Sequence, residues 1–291
     1  MIGKKNILIT GSDGQLGKVI ADYSITNNMY NYYFTNKSQL DVTNFDQISN
    51  YVSYNNINLI INCASLTNVN FAEKNSTLAN LVNSISTQHL VNVCHHNKTQ
   101  LIHISTDYVF DGKKKSPYRE NDVTNPINIY GLTKLSGEKK ILNSGLKNSI
   151  IIRTSWIYSE YNNNFLSKIL NQTNNNSKIK IIKNKFGSPT NSHDLIESIF
   201  KIIPKIKNNK PELYHFSNSG YTSRIDFAKE VFKILNLNVV VKPIDFVSED
   251  AKRPDFSALD SKLFSKTFKI NIDNWKVSLN KHIKKNPYYC K

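Results

Sequence analysis

Short apolar runs alternate with amphipathic stretches along the first half of the chain. Asn6 to Thr10 carries Ile7-Leu8-Ile9, and similar runs follow at Tyr32 to Thr35, Leu59 to Ala64, Leu101 to Ile104 and Ile150 to Arg153. Each run is brief and mostly β-branched or aromatic, so each predicts a strand buried on both faces. Between them Phe45, Ile48, Tyr51 and Val52 recur at helical spacing, with Thr43 the expected N-cap. Leu78, Leu81, Val82, Ile85, Leu90 and Val93 predict one long helix. Such regular alternation predicts an α/β fold built on a doubly wound parallel sheet of the Rossmann type.

Beyond Ser155 the pattern loosens. Helices are predicted near Asn163 to Gln172, near His193 to Ile203 and over Ile225 to Leu235, with strands near Ile179 to Ile182 and Leu213 to Phe216. The expected organisation is a dinucleotide-binding domain over 1–155 and a smaller, interleaved substrate lobe mainly over 156–291. Segments near 178–200 and 212–218 are expected to return to the first domain. No internal repeat or separating linker is visible.

The apolar runs are too short to cross a membrane. The first residues lead straight into a strand, without the apolar core of a secretory signal, so a cytoplasmic location is expected. Cys63, Cys94 and Cys290 are far apart and predict reduced thiols, Cys63 as a packing residue. The seven histidines show no ligand spacing, and no metal site is expected. A formal net charge of +16 raises nucleic-acid binding. The lysines, however, are dispersed and not interleaved with aromatics, so no nucleic-acid partner is expected.

Gly11-Ser12-Asp13-Gly14-Gln15-Leu16-Gly17 follows the first strand and opens a helix. Glycines at 11, 14 and 17 let the backbone turn and approach a diphosphate at the helix N-terminus. At the end of the second strand stand Asn36 and Lys37, where an acidic residue would hold the ribose of NAD; an amide and a cation favour NADPH, with NADH possible. Asp41 and Val42 come next as candidates for the adenine side. Cys63, Ala64 and Ser65 end the third strand with small side chains that leave room for the cofactor.

Tyr130 and Lys134 are four residues apart, on one face of a predicted helix. A cation beside a phenol favours the phenolate, so the pair is a candidate acid–base couple, with Lys134 expected to lower the pKa of Tyr130. The fourth strand delivers Ser105 and Thr106 to the same edge of the sheet.

Five stretches carry a resemblance: Gly11 to Gly17, Ser105 to Gly112, Asn128 to Glu138, Arg153 to Tyr158 and Phe186 to Thr190. Together they resemble the extended short-chain dehydrogenases/reductases and, within them, the dTDP-4-dehydrorhamnose reductases. Arg253-Pro254 and Ser257 to Asp260 resemble that group's C-terminal segment. The resemblance implies NAD(P)H-dependent reduction of the C4 ketone of a 4-keto-6-deoxy nucleotide sugar, with Thr106, Tyr130 and Lys134 catalytic. It implies Val69, Thr106, Asp107, Trp156 and Arg253 around the substrate, Arg253 toward its diphosphate. A homodimer is a further possibility. Some relatives carry a Glu after the glycine loop that contributes to a magnesium site at a dimer interface; Lys18 stands here, which argues against that metal. Two alternatives stay open: a reductase or epimerase of another nucleotide sugar, and a non-catalytic NADP-binding regulatory subunit.

Overall fold

The structure is a computed structural model that describes residues 3–173, 176–245, 251–286 and 289; Cys290 lies outside them. The first half alternates as the apolar pattern predicts: β1 (Asn6–Thr10), α1 (Gln15–Thr26), β2 (Asn31–Thr35), α2 (Phe45–Tyr54), β3 (Leu59–Asn62), α3 (Val69–Lys74), α4 (Ser76–Asn80), a π-helical turn (Leu81–Ile85), α5 (Ser86–Asn97), β4 (Gln100–Thr106), α6 (Ile129–Leu142) and β5 (Ser149–Thr154). The second half holds β6 (Ile157–Tyr158), α7 (Phe165–Thr173), β7 (Lys178–Ile182), β8 (Phe186–Gly187), β9 (Thr190–Asn191), α8 (Ser192–Ile202), β10 (Glu212–His215), β11 (Thr222–Ser223), α9 (Arg224–Ile234), β12 (Val240–Ile244), α10 (Lys262–Phe268) and α11 (Trp275–Lys285).

Six parallel strands form the main sheet in the order β10-β5-β4-β3-β1-β2. Strands β3 and β5 are buried along their whole length, because helices cover both faces. One face packs Ile7, Ile9 and Ile61 against Val19, Leu195 and Ile199 of α1 and α8. The other packs Leu8, Ile60 and Leu101 against Val52, Leu90 and Ile141 of α2, α5 and α6. Each fully buried aliphatic side chain contributes about 1.5–3 kcal/mol, so the sheet interior is the main source of rigidity beneath its edge.

The C-terminal lobe has its own apolar core, including Tyr158, Leu166, Ile179, Phe227, Trp275 and Leu279. Of the segments expected to return to the main sheet, 212–218 does so as β10, parallel to β5. The stretch 178–200 divides. Strand β7 stays in the lobe, paired with β12, while α8 packs against α1. The reason is visible in β7 itself: Ile179 and Ile181 are buried but Lys178 and Lys180 are exposed, which suits a strand covered on one side only.

Two local expectations are corrected. Asn44, not Thr43, caps α2, its side chain accepting from the Gln47 amide at 3.0 Å. The long helix expected after β3 is broken into α3, α4, the π turn and α5, and Leu78 is exposed while Asn83 and Ser84 are buried. The extra residue in the π turn rotates the buried face away from the simple helical repeat.

Candidate active site

Strand order reverses between β1 and β3, so the carboxyl ends of these strands open a crevice where ligands of doubly wound sheets bind. The glycine loop lies there. Gly11 has φ of 65°, and a Cβ on it would stand 2.8 Å from the backbone of Ala64; the position admits only glycine without moving the loop. A cavity of about 260 Å³ is bounded by Gly11, Asp13, Gly14, Lys37, Asp41, Val42 and the Cys63-Ala64-Ser65 turn. This is the shape and lining that the nucleotide half of a dinucleotide requires. Burial tends to raise the Asp41 carboxyl, but the Thr43 amide and hydroxyl and the Lys37 charge outweigh it and hold the group below the usual carboxylate range.

Gly14, Cys63 and Ser65 also border a second cavity of about 460 Å³, which runs on along the sheet edge into the cleft with the lobe. Gln15 and Leu16 line it from the cofactor loop, Thr106, Asp107, Tyr130 and Lys134 from the sheet side, and Trp156, Phe165, Lys168 and Arg224 from the lobe side. A separate cavity of about 420 Å³, near Lys114, Arg119 and Lys262, is lined by none of the candidate catalytic, cofactor or substrate residues.

Helix α6 presents Tyr130 and Lys134. Asn128 caps it, accepting from the Gly131 amide at 2.8 Å. Gly131 lies so close to the chain below that a Cβ there would meet the Tyr108 carbonyl oxygen at 2.1 Å. That contact fixes the first turn of α6 against the Thr106 to Val109 stretch and brings the Tyr130 and Tyr108 rings edge to face, with centroids 5.8 Å apart. Thr106 accepts from the Tyr108 amide at 3.1 Å and donates to Asp107 Oδ1 at 3.1 Å.

The expected electrostatic coupling between Tyr130 and Lys134 is not the one present. Burial lifts the Tyr130 phenol well above its ordinary range; the Thr106 hydroxyl draws it down, and Asp107 and Tyr108 push it further up. Lys134 Nζ instead donates to the Ile104 carbonyl at 2.7 Å and lies 3.1 Å from His103 Nε2. A buried ammonium must find hydrogen-bond partners, and the end of β4 supplies them. Burial lowers Lys134 to about 8, against the opposing pull of Glu138 and Cys63. Asn62 Oδ1 accepts from Thr10 and from the Ala64 amide, so its amide nitrogen faces His103 Nδ1 at 3.0 Å. Burial and the neighbouring Lys134 charge hold His103 well below its ordinary range, so the ring is neutral.

Beneath this site Arg153 and Glu138 form a buried pair at 2.7 Å, and Ser105 also donates to Glu138. Asn83, presented by the π turn, holds the Ser65 hydroxyl at 2.9 Å, the Leu66 amide at 2.8 Å and the Thr133 hydroxyl at 3.1 Å. It thereby ties the cofactor crevice to α6. Burial pushes the Cys63 thiol up to about 12, which keeps it a thiol. The Asp107 carboxyl is raised by burial to about 7, although the Ser257 and Thr106 hydroxyls and Arg224 pull it down. Among the described residues its Oδ2 has no hydrogen-bond partner.

Several residues singled out from the sequence lie off the cavities. Asn36 spends its side chain on its own turn, accepting from Ser38 and Gln39, and leaves Lys37 at the cavity. Val69 opens α3 outside both linings, where Thr67 takes the place at the cavity. Arg253 donates to Asn70 and to the Ala251 carbonyl, also outside the linings. The cation at the lobe side of the cavity is Arg224, whose guanidinium lies 5.0 Å from the Trp156 ring and 4.7 Å from that of Phe165. Trp156 itself has φ of 43°, a conformation uncommon for a bulky residue, and so turns its ring from the end of β5 toward the lobe. Lys18 donates to Asn162 at 3.0 Å and faces the Tyr161 ring.

Residues 5–287 match the family model of the RmlD substrate binding domain. The chain belongs to this family. Among RmlD-family relatives, a dTDP-4-dehydrorhamnose reductase of Aggregatibacter actinomycetemcomitans is 34% identical over 94% of this chain and 96% of its own. A crystal structure of dTDP-4-dehydrorhamnose reductase from Bacillus anthracis in complex with NADP superposes with a TM-score of 0.91 at 33% identity, covering 98% of this chain and all of the other. A dTDP-4-keto-6-deoxy-D-glucose reductase of Streptomyces niveus is 30% identical over 68% of this chain and 69% of its own.

Proposed function

We propose that this chain reduces the C4 ketone of a dTDP-4-keto-6-deoxy sugar with NADPH, as the dTDP-4-dehydrorhamnose reductases it resembles are named for doing. The observation that carries the reading is the meeting of Thr106, Tyr130 and Lys134 in a cavity continuous with the glycine loop. Gly11 to Gly17 and the amide end of α1 hold the diphosphate of the cofactor, and Lys37 faces the 2′-phosphate that distinguishes NADPH from NADH. When bound, the nicotinamide supplies the hydride. The ketone oxygen then gains negative charge, and Thr106 and Tyr130 are the donors beside it. Tyr130, its phenol held protonated by burial, gives its proton to that oxygen. Lys134, with a pKa of about 8 and His103 at its back, returns a proton to the tyrosine. Trp156 and Arg224 bound the lobe side, where a flat base or an anionic diphosphate is held by stacking and charge. The site of action in this reading is the cytoplasm, where thiols such as Cys63 and Cys94 stay reduced.

The Streptomyces relative supports a second reading in which the same chemistry acts on dTDP-4-keto-6-deoxy-D-glucose. A panel separates the two: purified chain and NADPH are mixed with dTDP-4-keto-L-rhamnose, dTDP-4-keto-6-deoxy-D-glucose and UDP-linked analogues, and NADPH absorbance is followed. Fastest consumption with dTDP-4-keto-L-rhamnose is expected. NADPH binding without reduction of any of them would favour a regulatory subunit instead.

A further inference from the structure

Away from the cavity, three distant stretches bring two imidazoles and a carboxylate together. Glu160 follows β6, His193 sits in the first turn of α8 and His282 on α11. His193 Nε2 lies 3.0 and 3.2 Å from the two Glu160 oxygens, and His282 Nε2 lies 4.0 Å from Glu160 Oε2. One donor atom from each residue lies within 4.8 Å of the other two. We propose that Glu160, His193 and His282 form a site for one divalent transition-metal ion of the zinc class.

The geometry suits such an ion. Tetrahedral ligands at zinc-to-nitrogen and zinc-to-oxygen distances near 2.1 Å stand roughly 3.4 Å apart, between the separations present here. The imidazole of His282 is already oriented: it packs edge to face on Tyr158, with centroids 5.4 Å apart, and Nε2 is 3.4 Å from the Tyr289 hydroxyl. Its side chain is 4% exposed, whereas that of His193 is 40% exposed, so the fourth position opens to solvent beside His193. The two imidazoles differ in protonation: burial lowers His193, but its hydrogen bond to Glu160 outweighs this and raises it, so a bound ion displaces a proton there. Burial lowers His282 to about 4, leaving a neutral imidazole. Burial raises Glu160, but its hydrogen bond from His193 outweighs this and keeps it ionised. Asp22 and Asp194 add negative potential at His193. Two imidazoles and one carboxylate select zinc, cobalt or nickel over magnesium, which takes oxygen ligands. The site is therefore unlike the magnesium site that Lys18 argues against.

Binding would join three elements that meet beside the cofactor loop. Residues 162–165 line the active-site cavity, and Asn162 donates to the Asp13 carbonyl. Ser192, next to His193, accepts from Gln15. The ion would staple the lobe to the glycine loop without touching the reacting atoms.

The test uses the full chain without a histidine tag, stripped with chelator and titrated with Zn²⁺ in a calorimeter. One ion per chain with micromolar or tighter affinity is expected, unaffected by excess Mg²⁺. His193→Ala, at a half-buried position, should weaken binding at least ~10-fold, and Glu160→Gln and His282→Ala likewise. Co²⁺ should give visible absorption bands in the parent chain that His193→Ala lacks, and Zn²⁺ should raise the Tm of the parent alone. Absence of saturable binding would overturn the proposal. So would equal affinity in His193→Ala, which would assign the ion to other side chains; that variant decides even if His282→Ala fails to fold.

Discussion

Asp107 lines the cavity that also holds Thr106, Tyr130 and Lys134, and its environment makes its charge costly. The carboxyl is raised by burial to about 7, from 3.8 for a free group. The native state therefore keeps a proton that the unfolded chain releases across that interval. Stability from this group is complete below the lower value and is lost as pH rises through the upper one. Asp107→Asn keeps the shape and removes the ionisation. Thermal melts should show the variant more stable than the parent at about pH 8, by a few kcal/mol at most, and equal to it at about pH 3.5. Equal melting at both values would mean that the carboxyl is not raised.

At the scale of elements, α6 is the part that turns a short motif into a site. Its spacing of Tyr130 and Lys134 was legible because a helix puts such positions on one face. What the two residues face was not legible. Lys134 turns to β4 rather than to Tyr130, because burial obliges an ammonium to find the Ile104 carbonyl. Asn83 was hidden for a related reason: the π turn rotates a polar residue onto the side that helical periodicity assigns to Leu78 and Leu81. Gly131 carries the docking of α6. Gly131→Ala should force α6 off the Tyr108 carbonyl, with a stability loss of about 1–3 kcal/mol by denaturant titration and a larger proportional loss in turnover. Unchanged turnover would show that the close approach does not position Tyr130.

Over the whole molecule, the cavity lies between the sheet edge and a lobe whose strands are short and half exposed. Strands β1, β3, β4 and β5 were legible as runs because each is covered on both faces, whereas the edge strand β2 is only partly buried and was read from its aromatic side chains. The membership of β7 and β12 in the lobe was not, since pairing across a long separation leaves no local signal. Arg224 was missed for the same reason; its place depends on Trp156 and Phe165, which come from other elements. Arg253, chosen from the sequence for the diphosphate, donates to Asn70 and to the Ala251 carbonyl. Arg224→Ala is expected to raise KM for the nucleotide sugar roughly tenfold or more while NADPH affinity stays unchanged, because only the lobe side of the cavity loses a cation. An equal loss of NADPH affinity would place Arg224 with the cofactor.

The central claim is that Tyr130 protonates a ketone reduced at this cavity. It is tested most directly by comparing NADPH consumption by the parent chain and by Tyr130→Phe, with dTDP-4-keto-L-rhamnose as substrate and NADPH binding measured in parallel. The phenyl ring keeps the packing against Tyr108 and removes the proton. Turnover should fall by at least about a hundredfold while NADPH binding is retained. Turnover equal to that of the parent chain would contradict the account.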